Sequence, residues 1–124
     1  MLRSPGWLRR HPPAVRRQWI LLYDEFRIFA LRTPAARRRL ARHEQRVREQ
    51  YAAAAHAVLR RAGAGVEAAA PAGLIGAMLF ALDHDLNRQE VIDPGHVPAT
   101  SFADAVELLV ASAVALAKVS RRYR

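Results

Sequence analysis

Apolar side chains recur at three- and four-residue intervals through four separate stretches of this chain, the spacing that lines one side of an α-helix. The first stripe is Val15, Trp19, Leu22, Phe26 and Phe29, and it predicts a helix from about 14 to 32. Ile20, Tyr23, Ile28 and Leu31 widen it until only Arg17, Asp24, Arg27 and their neighbours leave a polar side. A helix this apolar needs cover on most of its circumference. Pro12-Pro13 cannot lie inside a helix, but Pro13 can open one.

Thr33-Pro34 closes the first element, because the residue before a proline disfavours helical backbone. Thr33 then suits the cap of a second helix, 34 to 62, with the stripe Leu40, Val47, Tyr51, Ala54 or Ala55, Val58 and Ala62. The rest of that helix is Arg, Glu and Gln, which places it on the outside. Gly63 and Gly65 stop it. Pro71 can open a third helix to about 90, with the ladder Leu74, Ile75, Met78, Leu79, Leu82 and Leu86. Asp93-Pro94-Gly95 has the residues of a type II turn. Ser101 and Asp104 stand in the capping-box relation, which starts a last helix near 102 and carries it to about 120. Its seam is Phe102, Val106, Leu109, Ala113 and Leu116.

The expected fold is all-α, a four-helix bundle of orthogonal or antiparallel packing over 14–120, with an irregular basic arm at 1–13 and a basic tail at 121–124. From Leu108 to Ala117 only Ser112 is polar, and the third helix is nearly as apolar from Leu74 to Leu82. Such helices need cover on every side, which a second copy supplies when the last two helices pair across a two-fold axis. A homodimer is therefore expected, with Leu79, Leu86, Phe102, Val106, Leu109, Ala113 and Leu116 at its interface.

Composition adds little to the fold and more to the list of partners. The 124 residues include no cysteine, so neither a disulfide nor a thiolate metal site is available. No apolar run is long enough to cross a bilayer, and the first 17 residues carry five arginines where a secretory leader needs an apolar core. A cytoplasmic protein without membrane contact is the expectation. The net charge is +9, concentrated at 1–17, 32–61 and the tail, while 62–120 is acidic. Lys118 is the only lysine, and a GC-rich coding sequence would favour Arg and Ala without any binding role. The alternative is a basic helical module that binds nucleic acid or a protein partner, carried by Arg37, Arg38, Arg39, Arg42, Arg46 and Arg48.

Catalytic chemistry is not expected. No phosphate loop, nucleophile–base order or metal-ligand spacing stands out, and His11, His43, His56 and His96 are scattered. Asp83, His84 and Asp85 point about 100° apart on a helix and cannot grip one ion together. Glu25 falls between Leu22 and Phe29, where a carboxylate needs a partner, and Arg37 suits a structural ion pair. No metal and no cofactor is expected.

Three stretches taken together carry a family resemblance: Trp19 to Phe26 continued by Phe29 to Pro34, Arg37 and Leu40-Ala41; Ala77 to Gln89; and Asp93 to Pro98 leading into an apolar last helix. In this order they resemble the C-terminal ligand-binding and dimerisation domain of the TetR/AcrR family of transcriptional regulators. The resemblance covers about 14–118. It implies an all-helical fold, a homodimer formed through the last two helices, a pocket for a small apolar or amphipathic effector, and a role as the sensing part of a repressor. The family's helix-turn-helix, through which it binds DNA, has no counterpart in these residues. Trp19, Tyr23, Phe26, Phe29, Met78 and Leu82 are the residues that could line such a pocket, and each also suits plain core packing. Tyr23 is the foremost of them, since its hydroxyl needs a partner once buried.

Overall fold

The computed structural model of the protein describes residues 8–63 and 69–122. Leu8–Arg10 form one 3-10 turn, followed by α1 (Pro13–Arg32), α2 (Pro34–Arg61), α3 (Ala69–Ile92) and α4 (Ser101–Arg122). No strand occurs among the described residues. Residues 1–7 of the expected arm, the second glycine of the 63–65 stop and the last two residues of the tail lie outside them.

Local chemistry sets the helix ends. Pro13 and Pro34 open their helices, where a missing N–H costs nothing. Between them Thr33 is extended, at φ −127° and ψ 105°, and is at once the last link of α1 and the cap position of α2. Its hydroxyl makes no capping bond, so backbone geometry alone makes this corner. Gly63 ends α2 at φ +88°, a conformation that L side chains resist. Gly95 sits at φ +82° and the His96 amide donates to the Asp93 carbonyl at 3.2 Å, which together make the type II turn. α4 starts one residue earlier than expected. Ser101 is its first residue, and the Asp104 amide donates to the Thr100 carbonyl at 2.9 Å, so Thr100 and not Ser101 holds the cap position.

The core lies between α2 and α3, the most closely joined pair. Val47, Tyr51, Ala55 and Leu59 of α2 interlock with Ala72, Ile75 and Leu79 of α3. α4 closes over this cluster with Phe102, Val106, Leu109, Val110, Ala113 and Val114. The helices can approach because Gly76 has no side chain. A Cβ there would lie 2.6 Å from the Ala52 nitrogen.

Two expectations about faces are corrected. α1 turns inward along Arg16, Ile20, Tyr23, Arg27 and Ala30, with Ile20 and Ala30 buried. Most of its apolar stripe faces outward, leaving Phe26 40% and Phe29 55% exposed, while Trp19 alone of that stripe is half-buried. The inward side is chosen by polar anchors on neighbouring helices, described below, and not by greasiness. Second, the seam assigned to a dimer interface is mostly spent inside the chain. Leu79 is in the core, Phe102, Val106, Leu109 and Ala113 pack on it, and Leu86 is half-buried. Of that set only Leu116 stays exposed, at 69%. Leu74, Met78, Leu108 and Val119 join it as apolar residues facing outward on the last two helices.

Candidate functional site

Where α1, α2 and α3 meet, the bundle leaves a cavity of about 80 Å³. α1 contributes Trp19, Ile20, Tyr23 and Asp24; α2 contributes His43, Val47 and Tyr51; α3 contributes Phe80, Asp83, His84, Asn87 and Arg88; and Leu8 reaches in from the 3-10 turn. The α3 set follows from helical spacing. Asp83 and Asn87 continue the stripe Ala72, Gly76, Leu79, so a core-facing line that begins apolar ends polar.

Buried polar groups need partners, and here they find one another. Asp83 and Asn87 are each 5% exposed. The Tyr51 hydroxyl donates to Asp83 Oδ2, and Asn87 Nδ2 donates to the Asp83 carbonyl at 2.7 Å and to Oδ1 at 3.1 Å. The carboxylate therefore ties α2 to α3 at the cavity floor. Above it the rings step upward: Phe80 meets Tyr51 edge-on at 6.2 Å, His84 lies 4.4 Å from Phe80, and Tyr23 lies 5.5 Å from His84.

His84 Nδ1 lies 2.9 Å from the Phe80 carbonyl oxygen. A carbonyl only accepts, so Nδ1 carries the proton and Nε2 of the neutral ring is left as an acceptor. Burial pushes the His84 pKa down; the Phe80 hydrogen bond opposes this. His43 is also lowered, first by burial, with Arg46 adding to the effect.

Two polar contacts fasten α1 at the rim. Tyr23 donates to Glu44 Oε1 at 2.8 Å, and Glu44 also faces Arg27 at 3.5 Å and Arg48 at 3.8 Å. Burial, then the Glu44 carboxylate, raises the Tyr23 phenol above its ordinary range. Asp24 receives Arg88 through two parallel bonds, Nε to Oδ2 at 3.1 Å and a terminal nitrogen to Oδ1 at 2.6 Å. That fork holds the Asp24 carboxyl below the usual range and raises Arg88.

Of the expected pocket residues, Trp19 and Tyr23 line the cavity. Leu82 is half-buried outside it, and Phe26, Phe29 and Met78 are exposed. The expected Glu25–Arg37 ion pair does not form. Both side chains are exposed, and the charges that join the helices are Asp24, Arg27, Glu44 and Arg88. Glu25 is one residue, about 100°, away from the inward-facing Asp24. Tyr51, Phe80, Asp83 and Asn87 are site residues that the sequence pattern does not mark as such. The readable signal was polar residues on the core-facing line of the third helix.

The cavity can hold an apolar ring against Tyr51 and Phe80 while offering His84 and the rim charges to a polar end. No group of three His, Asp or Glu residues able to hold a metal occurs among the described residues. No helix is long and apolar enough to cross a membrane, again among the described residues. The chain matches no family model, no curated protein and no solved structure.

Proposed function

We propose that this chain is the effector-binding and dimerisation domain of a TetR-like transcriptional regulator, with operator reading left to a separate helix-turn-helix segment. The observation that carries the reading is the cavity between α1, α2 and α3, whose aromatic walls surround a hydrogen-bonded polar cluster. Ligand sites combine mostly apolar walls with a few placed polar groups in this way. At about 80 Å³ the cavity suits a ligand of one ring or a short chain with a polar end.

The same cavity offers a route for a signal. α1 is fastened at its rim by Tyr23–Glu44 and Asp24–Arg88, next to the side chains a ligand would touch. A ligand that displaces either contact changes how α1 sits on the α2–α3 pair. Pairing of two copies is supported by the exposed Leu74, Met78, Leu108, Leu116 and Val119 on the last two helices. That outward set replaces the earlier seam as the surface expected to meet a second copy.

Titration with phenol, indole and benzoate, followed by tryptophan fluorescence and thermal shift, tests the pocket. A saturable response that His84→Leu weakens is expected, and ligand at a hundredfold over Kd should add about 2.7 kcal/mol of stability. No saturable response to any of the three would remove the sensing role. Light scattering at micromolar concentration tests pairing. A dimer that Leu108→Glu with Leu116→Glu dissociates is expected, and a monomer would remove the dimerisation role.

A further inference from the structure

α2 carries eight arginines against two glutamates, and they are not spread evenly around it. Arg38, Arg42 and Arg46 stand at i, i+4 and i+8, a line of about 12 Å along the helix, and Arg39 flanks it one turn from Arg42. All four are exposed. None has a hydrogen-bond or ion-pair partner among the described residues, whereas Arg27 and Arg48 face Glu44 and Arg88 holds Asp24. Glu49, the only acid on the outer side of α2, engages Gln45 at 3.3 Å and no arginine.

We propose that this outer face of α2 docks on the phosphate backbone of duplex DNA without reading its bases. Four guanidinium groups within three turns repel one another, and their field reaches His43, whose lowered pKa owes part of its shift to Arg46. A polyanion relieves that repulsion and releases its own counterions on binding. The planar guanidinium matches phosphate through two parallel hydrogen bonds, which a lysine cannot do, and α2 carries arginine and no lysine.

Duplex DNA fits this face better than an anionic membrane. A helix that lies on a bilayer inserts large apolar side chains beside its charges. The large apolar residues of α2 are turned into the bundle, with Val47, Tyr51 and Leu59 buried, and no exposed large hydrophobic residue lies on this helix. The face is charged and free of anything to insert. Nothing on it is placed to reach base edges, so contact should be independent of sequence.

The test is fluorescence anisotropy of the full chain with a labelled random-sequence duplex, titrated across salt, for the natural protein and R38Q/R42Q/R46Q. Circular dichroism should show both equally helical, since the three side chains are exposed. Three lost phosphate contacts at about 0.9 each should make the slope of log K on log salt shallower by about 2.7, so that about 40-fold less affinity is lost between about 50 and 200 mM salt. A charge-matched variant, R17Q/R32Q/R61Q, removes three exposed arginines elsewhere and should keep the natural slope. Equal losses in both triple variants would overturn the proposal, because net charge alone would then explain binding. So would the absence of DNA binding at low salt, or binding confined to phosphatidylserine vesicles.

Discussion

Gly76 of α3 lies directly on the backbone of Ala52 in α2. A Cβ at residue 76 would come within 2.6 Å of the Ala52 nitrogen, 2.7 Å of its Cα and 2.8 Å of its Cβ. Gly73, one turn earlier on the same helix, has nothing within 4 Å of the equivalent point. The two glycines should answer Gly→Ala with opposite signs. Alanine is favoured in a helix by about 1 kcal/mol, which Gly73→Ala should realise as added stability. At Gly76 overpacking against backbone should cost about 3 kcal/mol, a net loss of about 2 kcal/mol. Thermal unfolding of both variants decides it, and a stabilised Gly76→Ala would refute the close approach.

The Tyr51–Asp83 bond crosses the most buried part of the site. Removing the donor by Tyr51→Phe leaves a buried carboxylate short of one partner, at a cost of about 2 kcal/mol. Asn87 still donates to Asp83, so the variant should fold. Adding Asp83→Leu removes the group left wanting, and the double variant should lose less than the sum of the two single losses in denaturant unfolding. Strict additivity would mean that the two side chains do not interact.

Asp24 and Arg88 should make part of the acid sensitivity. Folding lowers the Asp24 pKa, so the unfolded chain takes up this proton first as pH falls. The contribution is complete above about pH 4, the unfolded value, and is lost as pH falls through the lower folded value. The side chains are 36% and 30% exposed, so water screens the pair and its worth is about 1 kcal/mol. Unfolding of Asp24→Asn should show that loss at neutral pH and a flatter profile at the acid end.

His84 acts in a higher window. Its folded pKa is depressed by burial, so the unfolded chain binds the proton more readily. Stability should be full above about pH 6.5 and decline as pH falls through that value towards the lower folded one. His84→Gln should shrink this decline, with His43 supplying what remains, while leaving the Asp24 decline in place. NMR titration of the His84 ring gives the direct check, and a pKa above the ordinary histidine value would reverse the prediction.

The orientation of α1 gives the plainest contrast between pattern and packing. Ile20→Ala should cost about 2–3 kcal/mol because Ile20 is buried. Phe29→Ser removes a larger side chain that is 55% exposed and should cost the fold much less. A Phe29 loss as large as that at Ile20 in the isolated chain would mean that α1 is turned the other way.

How far the sequence could be read shows at α1 and α3. Both ends of α1 and α2 and the last turn of α3 fall within a few residues of where Pro13, Thr33-Pro34, Gly63 and Asp93-Pro94-Gly95 place them. These are local effects, fixed by residues that exclude or demand particular backbone angles. Trp19 and Tyr23 were legible as pocket residues, yet Phe26 and Phe29 on the same stripe were not separable from them. Which flank of an over-apolar helix turns inward depends on what waits on its neighbours. Here Glu44 and Arg88, 21 and 64 residues away from Tyr23 and Asp24, decide it.

An all-helical chain, the number of helices and the places where they stop were determined by the residue order alone, because turn chemistry and helical periodicity act over a few neighbouring positions. The side each helix presents, the Tyr51–Asp83–Asn87 cluster and the Gly76–Ala52 contact were decided only by assembly. They join residues on different helices, and no short-range preference specifies which partner a buried phenol or carboxylate will meet.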